Sequence, residues 1–85
     1  MENLVNHPLV MEYHIIMLLL EVGNKIKNRR KELGLTQSDL ARMSEVGLNT
    51  LYLLESGRFN ASLKILEKIL DVLGLQINID VKKLK

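Results

Sequence analysis

Residues 36–57, TQSDLARMSEVGLNTLYLLESG, leave room for two short helices and one tight turn, and they constrain the fold more than any other stretch. Thr36 stands at an N-cap with Asp39 three residues on, a capping-box arrangement that starts the first helix. That helix holds Leu40 and Ala41 on its inner side and ends near Ser44. A turn through Glu45 and Val46 leads to a second helix of about nine residues, with Leu51 and Leu54 on one face and Gly57 as its stop. Ala41 is small where the two helices come closest, Leu40 and Val46 fill the angle between them, and Leu51 and Leu54 seat the second helix. Leucines at this spacing also occur in ordinary helical hairpins. Spacing alone therefore leaves two readings, a hairpin that is only core and a pair whose second helix meets DNA.

The flanking segments supply the rest of a core. From Glu21, the residues Val22, Ile26 and Leu33 recur at helical spacing with lysines and arginines between them, and Gly34 ends the run. Ser62 caps another helix, LKILEKILDVLG, in which Leu63, Leu66, Ile69, Leu70 and Leu73 form an apolar stripe stopped by Gly74. Beyond Gly74 the period changes from 3.6 to 2. Leu75, Ile77, Ile79 and Val81 alternate with Gln76, Asn78, Asp80 and Lys82, the pattern of a strand with one buried face. A lone strand leaves its backbone groups unpaired, so it needs either the N-terminal stretch or the same strand of a second copy. The second arrangement makes a homodimer with Leu75, Ile77, Ile79 and Val81 at its interface.

The stretch PLVMEYHIIMLLLEV is almost wholly apolar, but it contains Glu12 and His14 and is too short to span a bilayer. It has no basic leader region and no small-residue cleavage site, which points to a soluble cytoplasmic protein. Residues 1–16 admit three readings: a packing helix with Pro8 in its first turn, an edge strand through YHIIMLLL, or an upstream extension with the working start at Met11 or Met17. The expected organisation is an apolar extension over 1–19, a core domain over 20–75, and a strand with a basic tail over 76–85.

Eighty-five residues make one small domain. A chain of this size buries only about 60% of its unfolded surface, so dimerisation is the expected reinforcement. There is no cysteine, and His7 and His14 stand apart without a carboxylate array, so neither a disulfide nor a metal is expected. The net charge is only +2, yet Lys25, Lys27, Arg29, Arg30 and Lys31 fall within seven positions. Such a run can neutralise phosphates or simply solvate a helix face. Tyr13, Tyr52 and Phe59 are too few for a base-stacking platform. No nucleophile has a histidine and an acid beside it, no glycine loop cradles a phosphate, and no paired acids share a cleft. An enzyme or a cofactor protein is therefore not expected.

VGNKIKNRRKELGLTQSDLARMS, followed by NTLYLLESGRFNASLKILEKILDVLGL, resembles the lambda-repressor-like (Cro/C1-type, Xre family) helix-turn-helix domain over roughly residues 20–75. The GLTQ start, the LESG helix end and the LxxLxKIxxxLGL helix carry the resemblance. It implies a mostly α fold, a bundle of four core helices, and sequence-specific binding of double-stranded DNA by a transcriptional repressor. The terminal LGLQINIDV, read as a strand, further resembles HipB-type antitoxins. That likeness implies a homodimer paired through its C-terminal strands, an inverted-repeat operator of its own, and a HipA-like serine/threonine kinase toxin as partner.

Carried over residue by residue, the resemblance places Thr36 and Gln37 at a phosphate, where a helix N-terminus also presents free N–H groups. It places Arg58 and Asn60 in a loop near the DNA backbone, and pairs Arg30 with Glu55 in a buried ion pair. The groove-facing positions fall on Gly47, Leu48, Asn49, Tyr52 and Leu53. Asn49 can bond adenine in a bidentate fashion, Leu48 and Leu53 can pack on thymine methyls, and Tyr52 can reach a phosphate or a base edge. Two departures stand out. Glu45 occupies a turn position where glycine is common, and a left-handed backbone there costs roughly 1 kcal/mol, so a slightly different turn is expected. Gly47 replaces the customary Ser or Thr cap. A stand-alone Xre regulator is the nearest alternative; an interaction module that has lost DNA reading, with Leu48 and Leu53 facing a protein, is the alternative from another class.

Overall fold

The computed structural model describes residues 8–82 and comprises α1 (Pro8–Glu32), α2 (Gln37–Ser44), α3 (Leu48–Glu55) and α4 (Leu63–Leu73). The parts of the terminal expectations that concern residues 1–7 and 83–85 lie outside the described residues.

The core forms where the apolar faces of the four helices meet. Ile26 from α1, Leu40 and Ala41 from α2, Leu51 and Leu54 from α3, and Ile69 and Leu73 from α4 are all buried. Each large side chain among them contributes about 1.5–3 kcal/mol of burial. Val22, Leu35, Val46, Ile65, Leu66 and Leu70 pack around this centre. Two expected core residues stay outside it: Leu33 sits just beyond the end of α1, and Leu63 is 72% exposed in the first turn of α4. Ile65 packs on the core instead, because the buried face of α4 centres on Ile69 and Leu73 and Leu63 lies off to its side.

Local chemistry sets the helix ends. The Thr36 hydroxyl accepts from the Asp39 N–H at 3.0 Å, and the Asp39 carboxylate accepts from the Thr36 N–H at 2.9 Å. This capping box holds the start of α2 and is worth about 1 kcal/mol. The Ser62 hydroxyl caps α4 by accepting from the Ile65 N–H at 3.3 Å, without a reciprocal side chain. The turn after α2 keeps the left-handed geometry without glycine. Glu45 has φ 57° and ψ 41°, and its N–H and that of Val46 reach back to the last turn of α2. The expected deviation of this turn is therefore corrected: the two helices need the left-handed residue to meet at their angle, and packing outweighs the penalty.

At the N-terminal side the helical reading with Pro8 in the first turn matches the described residues, while the bounds of helix one and the C-terminal strand differ from expectation. Helix one does not begin at Glu21; α1 runs unbroken from Pro8, and YHIIMLLL is helical rather than an edge strand. Proline is tolerated in a first turn, where its missing N–H has no partner to lose. The expected C-terminal strand is not formed among the described residues, and 75–82 adopt no regular secondary structure. A strand needs a neighbour's N–H and C=O groups, and the described residues offer none at that edge. Leu75 still packs on the core, with its N–H donated to the Leu70 carbonyl at 2.9 Å.

Candidate nucleic-acid interface

The candidate surface lies on α3, and α3 is fixed from behind. Arg30 donates from Nε to Glu55 Oε2 at 2.7 Å and from Nη2 to Glu55 Oε1 at 3.0 Å, a bidentate pair with both side chains buried. The third guanidinium nitrogen, Nη1, donates to the Leu35 carbonyl at 2.8 Å. The carboxylate of Glu55 holds the Arg30 pKa above its ordinary value, chiefly through the hydrogen bond and against the opposing effect of burial. Helix α1 also approaches α3 very closely at Gly23. A Cβ there would stand 2.5 Å from the Leu54 carbonyl oxygen and 2.8 Å from that of Glu55. Nothing in the sequence pattern singled Gly23 out, because a glycine inside an apolar helix reads only as a weak helix former.

With its rear anchored, α3 turns Leu48, Asn49 and Tyr52 outward. Leu48 and Tyr52 are about half exposed, at 49% and 48%, and Asn49 is exposed between them. Leu53 is half-buried and flanks this face. Gly47 is the N-cap of α3 and supplies no side-chain hydrogen bond, so the first amides of the helix have no side-chain cap competing with an anion. The backbone at Gly47, with φ −66°, does not require glycine, and an added Cβ would meet nothing nearer than 3.6 Å.

Around this face the expected contact residues fall into two groups. Arg58 is exposed beside α3, its guanidinium 5.3 Å from the centre of the Tyr52 ring and its Nε donating to the Ser56 hydroxyl at 3.0 Å. Stacking of this kind orients both the cation and the phenol. Asn60 is exposed in the same loop, and Thr36 is exposed at the start of α2. Gln37 is more constrained: its amide donates to Glu55 Oε1 at 3.0 Å, which ties the start of α2 to the ion pair. Lys27, Gln37, Tyr52, Glu55 and Ser56 line one shallow cleft beside α3, which brings Lys27 of α1 next to Tyr52.

The basic run divides by burial. Lys25, Lys27 and Lys31 are exposed, whereas Arg30 is buried and Arg29 donates to the Leu73 carbonyl at 3.0 Å and to Glu32 at 3.2 Å. Two of its five cations therefore hold helices together. His14 is exposed, and among the described residues no group of acidic or histidine side chains is placed to hold a metal ion. No helix of the described residues is long and apolar enough to cross a membrane.

The comparisons with known proteins agree with this geometry. The helix-turn-helix family model matches residues 26–79. An immunity repressor protein of Bacillus phage phi105 is 39% identical over 59 residues, which is 69% of this chain and 41% of the phage protein. The chain thus spans about two fifths of the length of that relative. An uncharacterized HTH-type transcriptional regulator of Methanothermobacter thermautotrophicus is 45% identical over 49 residues, 58% of this chain and 71% of the relative. A third relative, an uncharacterized HTH-type transcriptional regulator of Methanocaldococcus jannaschii, is 39% identical over 54 residues, 64% of this chain and 82% of its own length. With four helices in this order, an α3 anchored at Glu55, and a family model matching residues 26–79, the protein belongs to the lambda-repressor-like helix-turn-helix family.

Proposed function

We propose that this chain is a sequence-specific double-stranded DNA-binding repressor that acts as a homodimer on an inverted repeat, its own promoter included. The observation that carries the reading is the outer face of α3, where Leu48, Asn49 and Tyr52 stand exposed on a helix locked by the buried Arg30–Glu55 pair. Thr36, Gly47, Arg58 and Asn60 border that face, and Lys27 lines the cleft beside it, so phosphates on either side of a groove have donors to meet. Asn49 reads adenine, while Leu48 and Leu53 pack on thymine methyls. One bidentate contact is worth about 1–3 kcal/mol per half-site, so selectivity needs two half-sites with recognition helices about 34 Å apart.

The resemblance to HipB-type antitoxins extends this reading to a toxin-antitoxin pair in which the dimer restrains a HipA-like kinase. The alternation of Ile77, Ile79 and Val81 supports it by supplying a one-faced strand for the partner copy. A kinase that co-purifies with the chain from its native host, and whose activity the chain suppresses, is the expected result. A chain that arrives alone and binds DNA unaided is a stand-alone regulator.

Fluorescence anisotropy on DNA from immediately upstream of the coding region, against a scrambled duplex at two salt concentrations, tests DNA reading. Tight binding that prefers the upstream duplex and weakens steeply with salt is expected. No preference at either salt would reassign Leu48 and Leu53 to a protein surface. Asn49→Ala should weaken specific binding roughly tenfold or more while sparing the scrambled duplex. Equal losses on both duplexes would remove Asn49 from base reading.

A further inference from the structure

Among the described residues, little covers the first half of α1. Tyr13, Ile15, Ile16, Met17 and Leu18 are each about half exposed, and Leu20 is 39% exposed although it lies against Gly57. Ile15 and Leu18 continue the line of Val22 and Ile26 past the end of the globule, and Tyr13, Ile16, Met17 and Leu20 lie on a different face. A helix that is apolar on more than one face is normally buried. Among the described residues of this half, only Glu12 and His14 are polar.

The proposed homodimer also lacks area. Ile79 and Val81 are 95% exposed and Ile77 is 52% exposed, which together offer on the order of 400 Å² per copy, about half of what each partner gives to a stable interface. The four apolar side chains of α1 that share one face, Tyr13, Ile16, Met17 and Leu20, offer on the order of 400 Å² more. Tail and helix together reach the area that a stable dimer needs; the tail alone does not.

From this we infer that the N-terminal half of α1 is a second dimerisation element, which pairs antiparallel with the same segment of another copy. Orientation follows from spacing and charge. Tyr13, Ile16, Met17 and Leu20 are separated by 3, 1 and 3 residues, a sequence of gaps that reads the same in both directions. Two antiparallel copies crossing between Ile16 and Met17 therefore set Tyr13 of each against Leu20 of the other. The same crossing brings His14 of one copy within a turn of Glu21 of the other, since these residues are seven apart and share a flank. A parallel pair would instead press the two basic runs from Lys25 to Lys31 against each other and crowd both globules at one end.

The inference rests on the homodimer of the proposed function but not on DNA reading, and its test contains no DNA. The chain has no cysteine, so single cysteines can be placed at will in the full-length protein and treated with a short bis-maleimide. Met17→Cys should cross-link to itself. Tyr13→Cys and Leu20→Cys should each fail alone and cross-link when mixed, with Lys68→Cys on α4 giving the background. Efficient self-linking of Tyr13→Cys would overturn the antiparallel geometry. By light scattering at tens of micromolar, the unmodified chain should be dimeric, and Ile16→Glu with Met17→Glu should raise the dimer dissociation constant at least tenfold at unchanged helicity. A monomeric unmodified chain, or a double variant as dimeric as the parent, would overturn the inference. DNA binding measured on the same samples is scored separately, so a failed dimer and a failed DNA reading are told apart.

Discussion

The span from Gly23 to Leu75 and the two apolar ends are equally hydrophobic to the eye, yet they behave in opposite ways. In the first, Ile26, Leu40, Leu51, Leu54, Ile69 and Leu73 are sealed from solvent, and every charged group that enters is paired, Arg30 with Glu55 above all. In the second, Tyr13 to Leu18 and Ile77 to Val81 carry side chains of the same kind with little against them. The difference lies in the number of directions from which a segment can be covered. α2 and α3 are short, but each is enclosed by other helices; the first half of α1 and the tail extend past the place where neighbours stop.

The largest test of this contrast strikes the sealed region. Glu55→Ala leaves the Arg30 guanidinium buried without its partner and frees the Gln37 amide, so unfolding in urea should show a loss of about 3–5 kcal/mol. A loss below about 1 kcal/mol would mean that water reaches the pair and that α3 is held mainly by Leu51 and Leu54. Gly23→Ala comes next. The added methyl would fall on backbone oxygens, which cannot rotate away, and α1 should move off α3 at a cost of about 1–3 kcal/mol. An unchanged thermal midpoint would show that the two helices can separate freely there.

Thr36→Ala removes the hydroxyl of the capping box and should cost about 1 kcal/mol. This effect is pH-dependent with a definite sign. Hydrogen bonds from Thr36 and the nearby Arg42 hold the Asp39 carboxyl below its ordinary value of 3.8, the Thr36 N–H being the first cause. A carboxylate with a lowered pKa stabilises the fold fully above its unfolded value and loses that contribution as pH falls through the folded one. Wild type and Asp39→Asn should therefore differ at pH 7 and converge in strong acid. A gap that stays constant through acid would sever Asp39 from the cap. The smallest expected effect lies at the end of the chain. Ile79→Ser should shift the stability of a dilute, monomeric sample by no more than about 0.5 kcal/mol, since nothing packs on that side chain.

How much was legible follows the same division. The capping box at Thr36, the stops at Gly57 and Gly74, the seats of Leu51 and Leu54, and the Arg30–Glu55 pair could be read from the chain, the first three from local chemistry and the last through family resemblance. The close approach at Gly23 could not, because it depends on where the end of α3 arrives from another part of the sequence. Gln37 shows a related limit. Its position marks it for a phosphate, but the proximity of Glu55 that captures its amide is tertiary. The period-2 pattern after Gly74 forms no strand among the described residues of a single copy, since alternation fixes faces and says nothing about partners. At Glu45 propensity argued against a turn that packing nonetheless imposes.

α1 is one uninterrupted helix of 25 residues, and so its exposed half and the half that abuts α3 at Gly23 share a single axis. Such a rod behaves as a ruler and a clock hand. Adding one residue between Leu20 and Gly23 would advance the outer half by about 1.5 Å and swing it by about 100°. If two copies meet through that half, the swing would be handed to both recognition helices, which would then arrive at the duplex out of phase with its grooves. Spacing along the operator would in that case be encoded in the length of the outer half of α1.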